Sequence, residues 1–135
     1  DRENIRIVGD RFVFQSEVLF PVGGADLDAA GQAEMDKLAA AVLELAEEIP
    51  SEINWVLRVD GHTDASPLTG TGRYRDNWEL SSARATSVVK YLISRGVPAN
   101  RLVAAGFGEF QPIAEGETPE VLSQNRRIEL KLTER

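Results

Sequence analysis

His62, Thr63 and Asp64 stand together in this chain, and Asn77, Ser81 and Arg84 follow at a helical spacing. Ile53, Trp55, Leu57 and Val59 alternate with Asn54, Val56, Arg58 and Asp60, which predicts a strand that stops at Gly61. His62, Thr63 and Asp64 are then left at its C-terminal end. A helix is predicted to open near Asp76 or Asn77, with Asp76 as cap and Glu79 reaching back three positions later. Asn77, Ser81 and Arg84 fall at i, i+4 and i+7, so they share one line on that helix. A carboxylate at a strand end, a helix N-terminus with free N–H groups and an arginine two turns in make a bipolar site. One pole suits a cation and the other an anion.

Other chemistry can be read into the same residues. His62 and Asp64, at i and i+2, project the same way from an extended chain, and Ser66 or Ser81 could complete a hydrolytic triad. No G-x-S-x-G turn is present to expose such a serine, so His62 reads as a structural or loop-ordering histidine. A zinc site needs three or four ligands, and the chain has no second histidine and no cysteine. Gly106-Phe107-Gly108 begins like a dinucleotide fingerprint, but Gln111 stands where its third glycine belongs. Gly70 and Gly72 lack the Gly-Lys-Ser/Thr of a phosphate loop. Asp64 and Arg84 also have a plain structural reading, an internal ion pair that ties strand to helix.

The elements that hold these residues follow from periodicity. Arg11–Ser16 reads as a first strand with Phe12 and Phe14 on one face, and Val18-Leu19-Phe20 as a short apolar segment stopped by Pro21. From 26 to 49 the period becomes helical, with Met35, Leu38, Val42, Leu45 and Ile49 on one stripe, Asp26 or Asp28 as cap and Pro50 as stop. The helix after Asp76 buries Ala85, Val88, Val89 and Leu92. Gly96 takes a left-handed cap there, with Val97 against Leu92. A strand is predicted over 102–107, a short helix over 118–124, and a last strand carrying Ile128, Leu130 and Leu132. Strands alternating with helices predict an α/β two-layer sandwich, helices packed on a mixed sheet of four strands or slightly more, in βαβαββ order. The loop from Ala65 to Arg75 is long enough to be functional or mobile.

The chain of 135 residues reads as one domain, with residues 1–10 as a polar lead-in that carries a short extended piece at Ile5–Val8. Its 42% apolar and 27% charged residues are those of an ordinary globular protein. A net charge of −7 argues against nucleic acid or an anionic membrane surface as partner. The absence of cysteine excludes disulfide scaffolds and thiol catalysis. No apolar run is long enough to insert this domain in a membrane. The start at Asp1 reads as that of a domain excised from a longer, membrane-anchored chain.

Taken together, Gly61-His62-Thr63-Asp64, Asn77-x-x-Leu80-Ser81-x-x-Arg84-Ala85, Gly96-Val97, Gly106-Phe107-Gly108-Glu109, Pro112 and Asn125-Arg126-Arg127 resemble the OmpA-like (OmpA/MotB C-terminal) domain. The resemblance covers about Val13 to Leu132, and the long loop and the Tyr74–Ser81 run look closer to the MotB side. It implies a periplasmic, non-enzymatic module that binds peptidoglycan without a cofactor or metal and anchors a membrane-linked protein to the wall. Asp64 would hold the ammonium of the stem peptide's meso-diaminopimelate, and Arg84 its carboxylate. Asn77, Thr63, Leu80 and Arg127 match further site positions, with Arg127 read as a buttress of the loop. The family's Gly-Arg before Asn-Arg-Arg is replaced by Val121-Leu122, which leaves its role absent or taken over by Arg126. The resemblance also admits a homodimer and, as an alternative, the wall clamp of a flagellar stator. A wall hydrolase using His62 and Asp64 is the enzymatic rival.

Overall fold

The computed structural model describes residues 6–8, 11–68 and 72–135; most of the polar lead-in and the middle of the 65–75 loop lie outside them. Five strands form one sheet: β1 (Arg6–Val8), β2 (Arg11–Gln15), β3 (Trp55–His62), β4 (Leu102–Gly106) and β5 (Arg127–Glu134). Their spatial order is β1-β2-β5-β3-β4, antiparallel throughout except for the parallel β3–β4 pair. The mixed sheet and the βαβαββ order are as the periodicity predicts, with β1 added at one edge. Among the described residues four α-helices accompany it: α1 (Ser16–Leu19), α2 (Ala29–Ala46), α3 (Asn77–Ser94) and α4 (Pro119–Asn125).

The core lies between one sheet face and α2 and α3. Phe14, Leu57, Val59, Ile128 and Leu130 from the strands meet Met35, Ala39, Val42, Ala85, Val88 and Leu92 from the helices. Burying each such side chain contributes about 1.5–3 kcal/mol, which is what holds the helices to the sheet. The predicted caps form: Asp28 accepts from Gly31 N–H at 2.8 Å and Asp76 from Glu79 N–H at 2.9 Å. Gly96, at φ +105°, ends α3, and Val97 N–H bonds Leu92 O. No helix among the described residues is long and apolar enough to cross a membrane.

Several predicted boundaries move. The Val18–Phe20 segment begins in α1, one helical turn starting at Ser16, so β2 is shorter by that residue. Phe12 is half-exposed near the sheet edge while Phe14 is fully buried. The second helix stops at Ala46; Leu45 is exposed, and Ile49 packs on the core from beyond the helix. β4 ends at Gly106, one residue short of Phe107.

The larger correction is at Gly61. The strand does not stop there but runs through His62, pairing Gly61 with Ile128 and with Gly106. Gly61 is needed because α3 sits directly on it: an added Cβ would collide with the main-chain oxygen of Ser81. Gly106, beside it in the sheet, is covered in the same way by Ser82. At Gly61 the helix rests on strand backbone with main chain against main chain, and at Gly106 the Ser82 hydroxyl and main chain press on the strand.

Candidate functional site

Asp64 follows β3 by two residues and is held from three sides. Its Oδ1 accepts from Ser66 N–H at 2.9 Å, and its Oδ2 from the Arg126 guanidinium at 2.6 Å. Its main-chain oxygen accepts from the Thr63 hydroxyl at 2.9 Å and, more weakly, from the Asn77 amide at 3.4 Å. Thr63 is itself fixed by its N–H to Gly108 O. Asn77, at the first turn of α3, also donates to Ser66 O at 3.1 Å and to the Glu109 carboxylate at 3.2 Å. A single buried amide thus ties the loop after β3, the start of α3 and the loop after β4 together.

Arg84 is 5% exposed and Asp64 7%. They do not bridge each other. Arg84 Nε donates to Gly24 O at 2.8 Å, and its guanidinium lies 5.2 Å from the centre of the Phe20 ring. Among the described residues it has no ion pair. Burial pushes its pKa below the ordinary arginine value; the largest raising influence is Glu17, with Asp64 a smaller one. A buried, unneutralised guanidinium is costly and therefore receptive to an anion.

Arg126 is the residue that sequence reasoning placed only as a substitute. It bridges Asp64 and Glu17, donating to Glu17 Oε1 at 2.9 Å, and this hydrogen bond to Glu17 raises its pKa above the ordinary value. Glu17 joins the site from α1, and nothing in its sequence neighbourhood signals this. Two carboxylates, Glu17 and Asp64, and two guanidinium groups, Arg84 and Arg126, make the cluster neutral in sum but divided in sign.

The other expected positions fall as follows. Leu80 is buried on the inner face of α3 next to Ser81. Arg127 is fully buried with Glu129 (2.6 Å), Asn125 O (3.1 Å) and Gln111 O (2.6 Å) as partners, none of them in the Asp64–Arg84 group. It braces the 107–117 segment, as a buttress does, and Arg126 stands at the site in its stead.

His62 belongs to the opposite sheet face. It pairs in register with Arg127, stacks on Phe107 at 4.9 Å and is 4% exposed. Burial, then Arg127, lowers its pKa to about 4. Neither of its ring nitrogens has a hydrogen-bond partner among the described residues, and the Ser81 hydroxyl is taken up by Trp78 O and Gly108 N–H. A triad is therefore not assembled. Asp60, His62 and Glu129 do place a ligand atom each within 4.8 Å of one another. Arg58 grips both oxygens of Asp60, and Arg127 and Arg11 reach Glu129, so three guanidinium groups already answer two carboxylates. A cation placed there would meet their repulsion.

The fold is shared with known proteins. Residues 19–126 match the model of the OmpA family. YtxE from Bacillus subtilis (strain 168) is 35% identical over 119 residues, covering 87% of this chain and 46% of its own. A MotB-like protein from Desulfovibrio vulgaris superposes with a TM-score of 0.86 at 28% identity, over 97% of this chain and 82% of that one. The cell wall anchor of the T6SS from Pseudomonas aeruginosa superposes at 0.77 with 28% identity, over 96% and 85%. The chain spans about half the length of the curated relatives it matches.

Proposed function

Because this chain belongs to the OmpA family, we propose that it binds peptidoglycan non-covalently, through the diaminopimelate of the stem peptide. The observation that carries the reading is Arg84: a buried guanidinium with no acidic partner among the described residues, in the same cluster as a rigidly held Asp64. The free end of diaminopimelate carries an ammonium and a carboxylate on one carbon. Asp64 takes the ammonium, with Glu17 adding negative potential behind it. Arg84 takes the carboxylate, bidentately where an ammonium could not. Arg126 holds Asp64 in place, and Asn77 and Thr63 fix the loop that carries it. The site binds and does not turn over its ligand.

The module acts from the periplasm as a wall tether for a membrane-linked protein, in keeping with the anchor described for the Pseudomonas aeruginosa relative. A flagellar stator clamp is a second reading, favoured by the likeness to the MotB-like protein over nearly the whole chain. Motility in cells lacking this domain separates the two.

The direct test is binding to purified sacculi, competed with free meso-diaminopimelate. A lysine-type stem peptide keeps the ammonium but lacks the carboxylate, and so leaves Arg84 unanswered. Stranding one member of such a pair costs about 2–5 kcal/mol, or roughly 30- to several-thousand-fold in affinity. Equal affinity for the two peptide types would refute the assignment, and release of soluble muropeptides would refute the non-enzymatic reading.

A further inference from the structure

Beside the Asp64–Arg84 cluster lies a second feature that the cluster does not use. Trp78 and Phe110 stack with ring centroids 5.1 Å apart and planes inclined at 30°, yet they are 52% and 57% exposed. Large aromatic rings left this open mark binding surfaces more often than they serve packing. Their supports are those of the site itself. Trp78 follows Asn77, and Phe110 follows Glu109, the carboxylate that Asn77 holds. Gly108, at φ +63°, brings the chain against both rings, where an added Cβ would come within 3.4 Å of each. Its N–H is bound by Ser81 and its oxygen by Thr63, so the pair stands on fixed backbone.

The surroundings narrow the ligand. Among the described residues no arginine lies over either ring, whereas arginines do cover Phe20, Tyr74, Tyr91, Trp55 and Phe107. Next to them in sequence stand Glu79 and Glu109, whose carboxylates accept from Arg75 N–H at 3.0 Å and from the Asn77 amide at 3.2 Å and keep lone pairs for a further donor. Bare rings suit a neutral pyranose: its C–H face lies on the rings, and its hydroxyls are donors that such carboxylates take.

We propose that Trp78 and Phe110 form a sugar subsite that holds the glycan strand next to the bound stem peptide. This rests on the proposed function, since continuity with the peptide cluster is what makes the glycan the occupant. The sugar is recognised by face and hydroxyls, and the peptide by charge.

The test titrates the domain with two soluble probes bearing one diaminopimelate stem peptide, one the peptide alone and the other carrying the N-acetylglucosamine–N-acetylmuramic acid disaccharide. Wild type should bind the disaccharide form about three- to tenfold more tightly. Trp78→Ala and Phe110→Ala should remove that margin and leave the peptide-only affinity and the melting temperature unchanged, while Trp78→Tyr restores part of it. Binding of the disaccharide form alone, lost in Trp78→Ala, would support the platform and sink the peptide reading. Equal affinity for both probes in the wild type would overturn the platform and leave the peptide reading standing. Failure of both probes to bind would overturn the two together. Self-association of the wild type that weakens in Trp78→Ala would give the platform to a second copy and overturn the sugar assignment.

Discussion

Replacing Arg84 with methionine should separate stability from function. Arg84 is 5% exposed and, among the described residues, its guanidinium donates to Gly24 O at 2.8 Å and lies against the Phe20 ring. An uncompensated buried charge costs about 3–5 kcal/mol. Against this, the charge-assisted bond contributes about 1.5–3 kcal/mol, and the contact with Phe20 about 1 kcal/mol. Methionine keeps the apolar stem, so little packing is lost. The balance leaves Arg84→Met about 1 kcal/mol more stable than wild type, or about 3–5 °C higher in Tm for a domain of this size. Its affinity for the diaminopimelate peptide should meanwhile fall by at least about 30-fold, the smaller end of the cost of an unpaired charge. Thermal melting and titration of the same preparations test this directly. A variant that melts several degrees lower would show Arg84 to be a structural cation. Retained affinity would remove it from the site.

Other perturbations reach other parts of the reasoning. His62 titrates near 4 in the fold against 6.5 when unfolded, so the unfolded chain binds more protons between those values. Stability contributed by neutral His62 is complete above about pH 6.5 and is lost as pH falls to about 4, amounting to about 3 kcal/mol. His62→Phe should flatten that part of a stability-versus-pH curve, and an unchanged slope would refute the burial argument. Gly61→Ala should destabilise by about 1–3 kcal/mol and weaken binding, because α3 must lift from β3 and carry Arg84 with it. Denaturant unfolding and titration measure both, and a neutral effect would contradict the close approach. Arg126→Ala should lower affinity about tenfold by releasing Asp64 from its charge-assisted bond. A rise in affinity would instead show that Arg126 competes with the ligand for Asp64.

Much of this was legible in the chain because it is local. The stripe of α3, the Asp76 cap and the Gly96 stop depend on neighbours within a few residues and formed as read, and α2 keeps Met35 and Val42 of its stripe in the core. What sequence could not supply were partners distant along the chain. Gly61 looked like a terminator because its purpose, room for the backbone at Ser81, lies on another element. The alternation in β3 does not reveal that Asp60 and His62 are buried on its second face, where Arg58 grips Asp60 and Phe107 stacks on His62. Asp64 was matched with Arg84 by motif, while its actual bond is to Arg126, sixty-two positions on. Glu17 carried no signal because its meaning comes only from the arginines that fold against it.

The position of β3 has a mechanical consequence. Under the proposed function the domain is loaded in tension, and a pull on its ligand would enter the protein at Asp64, just past the end of this strand. β3 is bonded along its length to β5 on one side and over half its length to β4 on the other. Force applied along such a strand must shear two rows of hydrogen bonds at once, since neither neighbour can be peeled away one bond at a time. The pull on Arg84 runs into α3, whose seat on Gly61 and Gly106 leaves no compressible layer to yield first. On that reading both grips lead into the doubly bonded strand and the helix seated on it, and the bond to the wall should give way before the domain does.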